Sequence, residues 1–287
     1  MKVIKDTELI LTDERKVYHL NIAGNEIADT IIIVGDKARV KQVSKHFSRI
    51  DFEIENREFL THTGECDGKR ISVLSTGIGT DNIDIVLNEL DAVKNIDLET
   101  RTIKEHKKSL NIIRLGTSGA LQKDIEVDSF LMATHGLGFD GLAHFYKSEN
   151  IIDEKMSSVF SSHSNWPNNL ASPYIVKASE KLLAKFAGFT SGITATAPGF
   201  YAPQGRELRI PPSIENLHEK MNTFGFEGNR ITNFEMETSA LYYLGQTLGH
   251  NTLTICAVIG NRLTKEYIKD YKKTVEKMID LVLNRIC

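Results

Sequence analysis

The chain has 287 residues, 41% hydrophobic and 25% charged, an ordinary globular composition with enough length for a substantial core in one large α/β domain or two small ones. Its net charge of -3 creates no general attraction to nucleic acid, so no such partner is expected and any anion site must be built locally. The charged start MKVIKDTELILTDERK lacks a signal-peptide core, no stretch of 18 apolar residues could span a membrane, and Cys66, Cys256 and Cys287 are spaced for neither a disulfide nor a metal, so a cytoplasmic location is expected.

In chain order, Thr30-Ile31-Ile32-Ile33-Val34 is a β-branched run ending at Gly35, which predicts a buried strand, and Lys37 to Phe47 predicts a helix. Lys69 to Thr76 reads as a second strand ending at Gly77-Ile78-Gly79-Thr80. The helix from Asp81 to Leu90 follows, with Ile83, Val86, Leu87 and Leu90 on one stripe. Ile112 to Leu115 is a short strand before Gly116-Thr117-Ser118-Gly119. Ser129 to Thr134, Gly192 to Ala197 and Asn251 to Val258 are further strands, and Ile231 to Phe234 is β-prone ahead of a helix from Thr238. Ile268 to Arg285 predicts a closing amphipathic helix with Tyr271, Val275, Met278, Ile279, Val282 and Ile286 apolar. The stretches Asp91 to Leu110 and Ser148 to Pro173 carry no strong pattern and read as surface excursions. Strands alternating with helices imply a mostly parallel, doubly covered sheet, and the absence of linkers and repeats implies one domain over residues 1–287.

Three strands end in glycine-bearing turns, where backbone amides can approach an anion, although none has the GxGxxG or GxxxxGK[ST] spacing. Arg39 stands one helical turn beyond Gly35. Arg114 lies inside an otherwise apolar strand, where a guanidinium needs either a carboxylate or a phosphate. In Asn233-Phe234-Glu235-Met236-Glu237-Thr238 the two carboxylates can address one ligand only if the chain is still extended there, because residues two apart diverge in a helix. A carboxylate suits a sugar diol and Met236 its flat apolar face; the competing reading is two solvated glutamates in a first helical turn. Phe200-Tyr201-Ala202-Pro203-Gln204-Gly205-Arg206 combines an aromatic face, an amide and a guanidinium, a reader for a flat heterocycle with carbonyl edges or else a plain exposed loop. The nine histidines form no HxxxH or HxH pattern, so no catalytic metal is expected.

From about Tyr18 to Thr264 these segments together resemble the nucleoside phosphorylase family, most closely its uridine phosphorylases. The matching segments are Val17-Tyr18-His19-Leu20, Ile33-Val34-Gly35-Asp36 with Arg39, Asn56-Arg57-Glu58-Phe59, Ser75-Thr76-Gly77-Ile78-Gly79, Ile113-Arg114-Leu115-Gly116-Thr117, Phe200-Tyr201 with Gln204 and Arg206, Phe234-Glu235-Met236-Glu237, and Asn261-Arg262. The resemblance implies an α/β fold with a central, mixed, partly barrel-like sheet. It implies phosphate held by Gly35, Arg39, Arg114 and Thr117, with Arg57 reaching in from a neighbouring subunit. Ribose would be held by Met236 and Glu237, with His19 again from the neighbour, and uracil by Phe200, Gln204 and Arg206. Arg114, Arg206 and Glu237 would carry the catalysis.

The implied reaction is phosphorolysis of a pyrimidine nucleoside in salvage, by a homo-oligomer of dimers with shared sites, with inorganic phosphate as co-substrate and no cofactor. A purine nucleoside phosphorylase, a nucleosidase and a non-catalytic nucleoside-binding protein are the alternatives; the purine branch uses an acid in the loop after the sixth strand, where Ile259-Gly260-Asn261-Arg262 has none. Lys37 and Ser118 depart from common family residues. Asn82 stands where some bacterial members use a serine to bind a monovalent cation.

Overall fold

A computed structural model describes residues 2–287. Its elements in chain order are β1 (Thr30–Val34), α1 (Lys37–Ser44), β2 (Arg49–Asn56), β3 (Phe59–Cys66), β4 (Lys69–Ser75), α2 (Thr80–Asn95), β5 (Ile96–Asp97), β6 (Thr102–Ile103), β7 (Asn111–Ala120) and β8 (Phe130–Gly138). There follow α3 (Glu154–Ser164), β9 (Tyr174–Lys177), α4 (Glu180–Lys185), β10 (Thr190–Thr196), α5 (Leu217–Thr223), β11 (Gly225–Phe226), β12 (Asn229–Glu235), α6 (Thr238–Thr247), β13 (Asn251–Asn261) and α7 (Lys272–Ile286).

An eleven-stranded sheet runs β11-β12-β10-β8-β13-β7-β1-β4-β3-β2, with β9 beside β8. β12 also pairs antiparallel with β7, Asn233 opposite Ala120 and Phe234 opposite Gly119. The strands β7, β13, β8, β10 and β12 therefore close into a barrel, from which β1, β4, β3 and β2 continue as an open sheet. The sheet is mixed rather than mostly parallel. The local cause is the turns: Arg57-Glu58 and Asp67-Gly68 are too short for anything but antiparallel β2–β3–β4 pairing. Asp67 and Gly68 both have positive φ, 47° and 77°, as a two-residue hairpin turn requires.

Other boundaries also shift. The helix α1 stops at Ser44, and the amide of Lys45 bonds back to the carbonyl of Lys41. The stretch 148–173 contains α3, which buries only Met156 and Phe160 among hydrophobics, too few to form a strong stripe; Asp153 caps it by accepting from Met156 N at 2.9 Å. Within 91–110, α2 runs on to Asn95 and the β5–β6 hairpin follows. Residues 259–268 fold back as a strap: Asn261 N donates to Glu266 O and Ile268 N to Ile259 O, each at 2.9 Å, so α7 begins only at Lys272.

The larger apolar core joins β1, β4, β7 and β13 to α1, α2, α6 and α7; a second packs α3 and α5 on β8, β10 and β12. No helix among the described residues is long and apolar enough to cross a membrane.

Candidate active site

A cavity of about 720 Å³ opens at the ends of β1, β7, β12 and β13, the first, second and fourth of which carry glycine there. Gly35, Asp36 and Arg39 line it from the β1–α1 junction, Arg114 and Gly116 to Gly119 from β7, Phe234 to Glu237 from the β12–α6 junction, and Phe200, Gln204 and Arg206 from the loop after β10. The strap closes the remaining side with Lys265, Glu266, Tyr267, Ile268 and Tyr271.

At the centre, Arg114 meets two buried carboxylates. Its Nη1 lies 3.1 Å from Glu235 Oε2, and its Nη2 donates to Glu237 Oε2. The cation in the apolar strand is thus paired within its own chain. Gly116 makes the fold-back possible, because a Cβ there would overlap the Arg114 guanidinium. The strand β12 stays extended to Glu235 and the helix starts after Glu237, so the two glutamates do converge on one partner.

The glutamates are not equivalent. Glu235 also accepts from Thr196 Oγ1 at 2.7 Å, Glu237 N at 3.0 Å and Thr238 N at 3.0 Å, which makes it a cap of α6 with little capacity left for a ligand. Glu237 accepts from Gly79 N at 2.8 Å and lines the cavity. That amide is presented at φ 102°, a conformation only glycine adopts without strain. Burial pushes the Glu237 carboxyl above its ordinary range, against the pull of Arg114, and Glu235 pushes the same way. Burial would lower the Arg114 pKa, but Glu237 and then Glu235 hold it above the usual arginine range. The Cys256 thiol, 3.6 Å from Arg114 Nη1, is pushed up to about 11 by burial.

Arg39 is 9% exposed, and among the described residues no carboxylate lies within 4.0 Å of it; its Nη1 donates to Leu115 O at 3.1 Å. Burial pushes its pKa below the usual range, and repulsion from Arg114 adds to this. Gly35 and Thr117 stand at the same cavity.

At another wall, Arg206 lies over the Phe200 ring, 3.6 Å from its centroid, and donates to Phe200 O. The Gln204 Oε1 accepts from Arg206 Nη1 at 2.7 Å and from Arg262 Nη2 at 3.3 Å. Both lone pairs of that oxygen are committed, so in this arrangement Gln204 offers only its NH₂ to a ligand. The Arg206 pKa is pushed down to about 10 by burial and then by Arg262. His218, its pKa lowered by burial, fixes the loop by donating from Nε2 to Gln204 O at 2.7 Å.

His19 and Arg57 do not line this cavity. The carboxylate of Glu89 accepts from the amides of His19 and Leu20, at 3.0 and 2.8 Å, and lies 2.7 Å from His19 Nδ1, while Asn56 Nδ2 donates to the carbonyls of Tyr18 and His19. Arg57 donates to the Tyr18 hydroxyl at 3.1 Å from a residue with φ 53°. The two side chains form a separate, partly exposed cluster.

A family profile described as the phosphorylase superfamily matches residues 29–286. The chain belongs to that superfamily. Among the family's curated members, a uridine phosphorylase of Thermococcus kodakarensis is 30% identical over 265 residues, covering 91% of this chain and 83% of its own length. A DeoD-type purine nucleoside phosphorylase of Bacillus subtilis is 26% identical, covering 93% of this chain and 98% of its own. A solved Trypanosoma brucei nucleoside phosphorylase, described as showing uridine phosphorylase activity, superimposes with a TM-score of 0.86 at 27% identity over 96% of this chain and 98% of its own. These nucleoside phosphorylases are pentosyltransferases, and the family is enzymatic.

Sequence reasoning assigned no role to Arg262, Glu89 or the strap. A guanidinium directly after a buried strand was a usable sign for Arg262. Glu89, on the α2 stripe side, gave none. Tyr271, placed by periodicity on the apolar stripe of the last helix, instead precedes the helix and faces the cavity.

Proposed function

We propose that the enzyme cleaves uridine with phosphate to uracil and ribose 1-phosphate in nucleoside salvage. The observation that carries this reading is the charge layout of one cavity: a carboxylate-free Arg39 at one end, the Arg206–Arg262 pair on Gln204 at another wall, and Glu237 between. In this mechanism the C1'–N1 bond lengthens first, placing positive charge on the ribose and negative charge on the base. Glu237 orients the ribose diol, and phosphate held by Gly35, Arg39, Arg114 and Thr117 stabilises the cation before attacking C1'. Arg206, with Phe200 packing beside it, stabilises the uracil carbonyl edge, and Gln204 donates to a carbonyl oxygen. Met236 faces the sugar. No cofactor is required.

The cluster of His19 and Arg57, well formed but outside the chain's own cavity, supports a dimer in which each subunit completes the other's site. A purine reading gains one point from the structure. Glu266, beyond the stretch Ile259 to Arg262, lines the cavity and offers a carboxyl that could protonate a purine ring.

Turnover of uridine, thymidine, inosine and adenosine, with and without phosphate, tests the proposal. Cleavage should require phosphate and favour uridine over inosine by about a hundredfold or more in kcat/KM, since the wrong base leaves buried polar groups unpaired. Replacing Arg206 by Ala should lower uridine turnover without creating purine activity. Equal cleavage of inosine, lost in Glu266→Gln, would establish the purine reading, and cleavage without phosphate a nucleosidase.

A further inference from the structure

We propose that Tyr271 is a phosphate-binding residue, its phenolic O–H donating to a phosphate oxygen beside Arg39; this rests on the phosphorolysis reading above. Tyr271 sits where the strap turns into α7 and lines the cavity together with Gly35, Asp36 and Arg39. Its side chain does not cap the helix, and its hydroxyl makes no hydrogen bond within the described residues. The residue is 38% exposed and lines the cavity rather than the core. A tyrosine whose hydroxyl is free at a polar cavity is poised to hold a ligand.

The electrostatics of the neighbourhood give that hydroxyl a purpose. Burial and repulsion from Arg114 weaken Arg39's hold on its charge, and Tyr271 lines the same cavity as that guanidinium. The positive charge of Arg114 is already matched by Glu235 and Glu237. A phosphate entering here meets one uncompensated buried guanidinium from this chain at that end, and it carries more acceptor sites than Arg39, the Gly35 amide and Thr117 can fill. A phenol adds a donor without adding a charge that would further repel Arg39. It also ties phosphate to the strap, so that the same segment that closes the cavity contacts the co-substrate.

The deciding variant is Tyr271→Phe, which keeps the ring and removes one donor. The KM for phosphate should rise about tenfold or more, as expected for losing a hydrogen bond to a charged oxygen. In the reverse direction the KM for ribose 1-phosphate should rise similarly. The KM values for uridine and uracil should stay within about twofold of the parent, and the melting temperature should not change, as it would if the hydroxyl served only packing. Unchanged phosphate and ribose 1-phosphate KM values would overturn the assignment, and so would an equal rise in the uridine KM, which would mark a general loosening of the strap. If the parent itself cleaves uridine without needing phosphate, the phosphorolysis reading falls and the Tyr271 assignment with it; a phosphate-dependent parent with an indifferent variant removes Tyr271 alone.

Discussion

One guanidinium facing two buried carboxylates leaves an excess negative charge at the Arg114 cluster, and Glu237 bears it. A carboxyl whose pKa is raised in the folded state contributes stability that is fully present below its unfolded pKa, near 4.3, and is lost as pH rises through the folded value. As pH falls from neutral toward about 4.3 the parent should therefore gain stability relative to Glu237→Gln, in which nothing titrates at that position. At pH 7 the variant should be at least as stable as the parent, by up to about 1 kcal/mol, while its kcat/KM falls by about a hundredfold or more, because the proposed diol acceptor is gone. Melting temperatures of both proteins across that pH range, set beside their turnover, check the trade. A parent-minus-variant difference that stays flat with pH would mean that Glu237 is ionised without cost. The sequence showed that Arg114 needed a counter-charge and that Glu235 and Glu237 could share a partner, but not that these were the same interaction. Arg114 and Glu237 lie 123 residues apart, and only the β7–β12 pairing brings them together.

At the level of elements, the strap depends on Asn261. Its Nδ2 donates to Gln122 O and Ile125 O, both at 2.8 Å, and its Oδ1 accepts from Leu263 N at 2.9 Å and Thr264 N at 3.2 Å. Asn261→Ala leaves buried carbonyls and strap amides without partners, at a cost of about 3 kcal/mol, much of it local. The expected outcome is faster proteolysis within residues 262–271 and a raised KM for both substrates, with the far β2–β3 hairpin still protected; limited digestion read by mass spectrometry would show it. Strands that end at glycine were legible because a β-branched run followed by Gly has few other readings, as in β1. The helix α3 was not legible, since Met156 and Phe160 stand among serines and a charge pair. The β3–β4 turn was available in Asp67-Gly68, a dipeptide suited to two positive φ values, but its flanking strands do not alternate cleanly. The strap misled the periodicity reading because Tyr271 and Ile268 fall on the helical stripe by spacing while serving the cavity.

The whole molecule presents two separate groups of polar side chains: the cavity lined by Arg39, Arg206 and Glu237, and a cluster of Tyr18, His19 and Arg57 braced by Glu89 and Asn56. If subunits exchange these clusters, coexpressed Arg57→Ala and Glu237→Gln chains, each inactive alone, should regain up to about a quarter of parent activity per chain, because mixed pairs place both defects in one site and leave the other intact. Purification by two different tags isolates the mixed oligomers; no activity in them would show that each cavity works alone. The closing seam of the barrel also bears on synthesis. The β7–β12 contact spans only Asn233–Ala120 and Phe234–Gly119, and Glu235 follows it directly. At roughly 5–20 residues per second, Arg114 is added to the chain on the order of 6 to 25 s before Glu237. For that interval the nascent chain carries an apolar strand with an unanswered cation, which cannot be buried cheaply. Strand β7 must wait, hydrated along one edge, for the residues that complete both its charge balance and the candidate site.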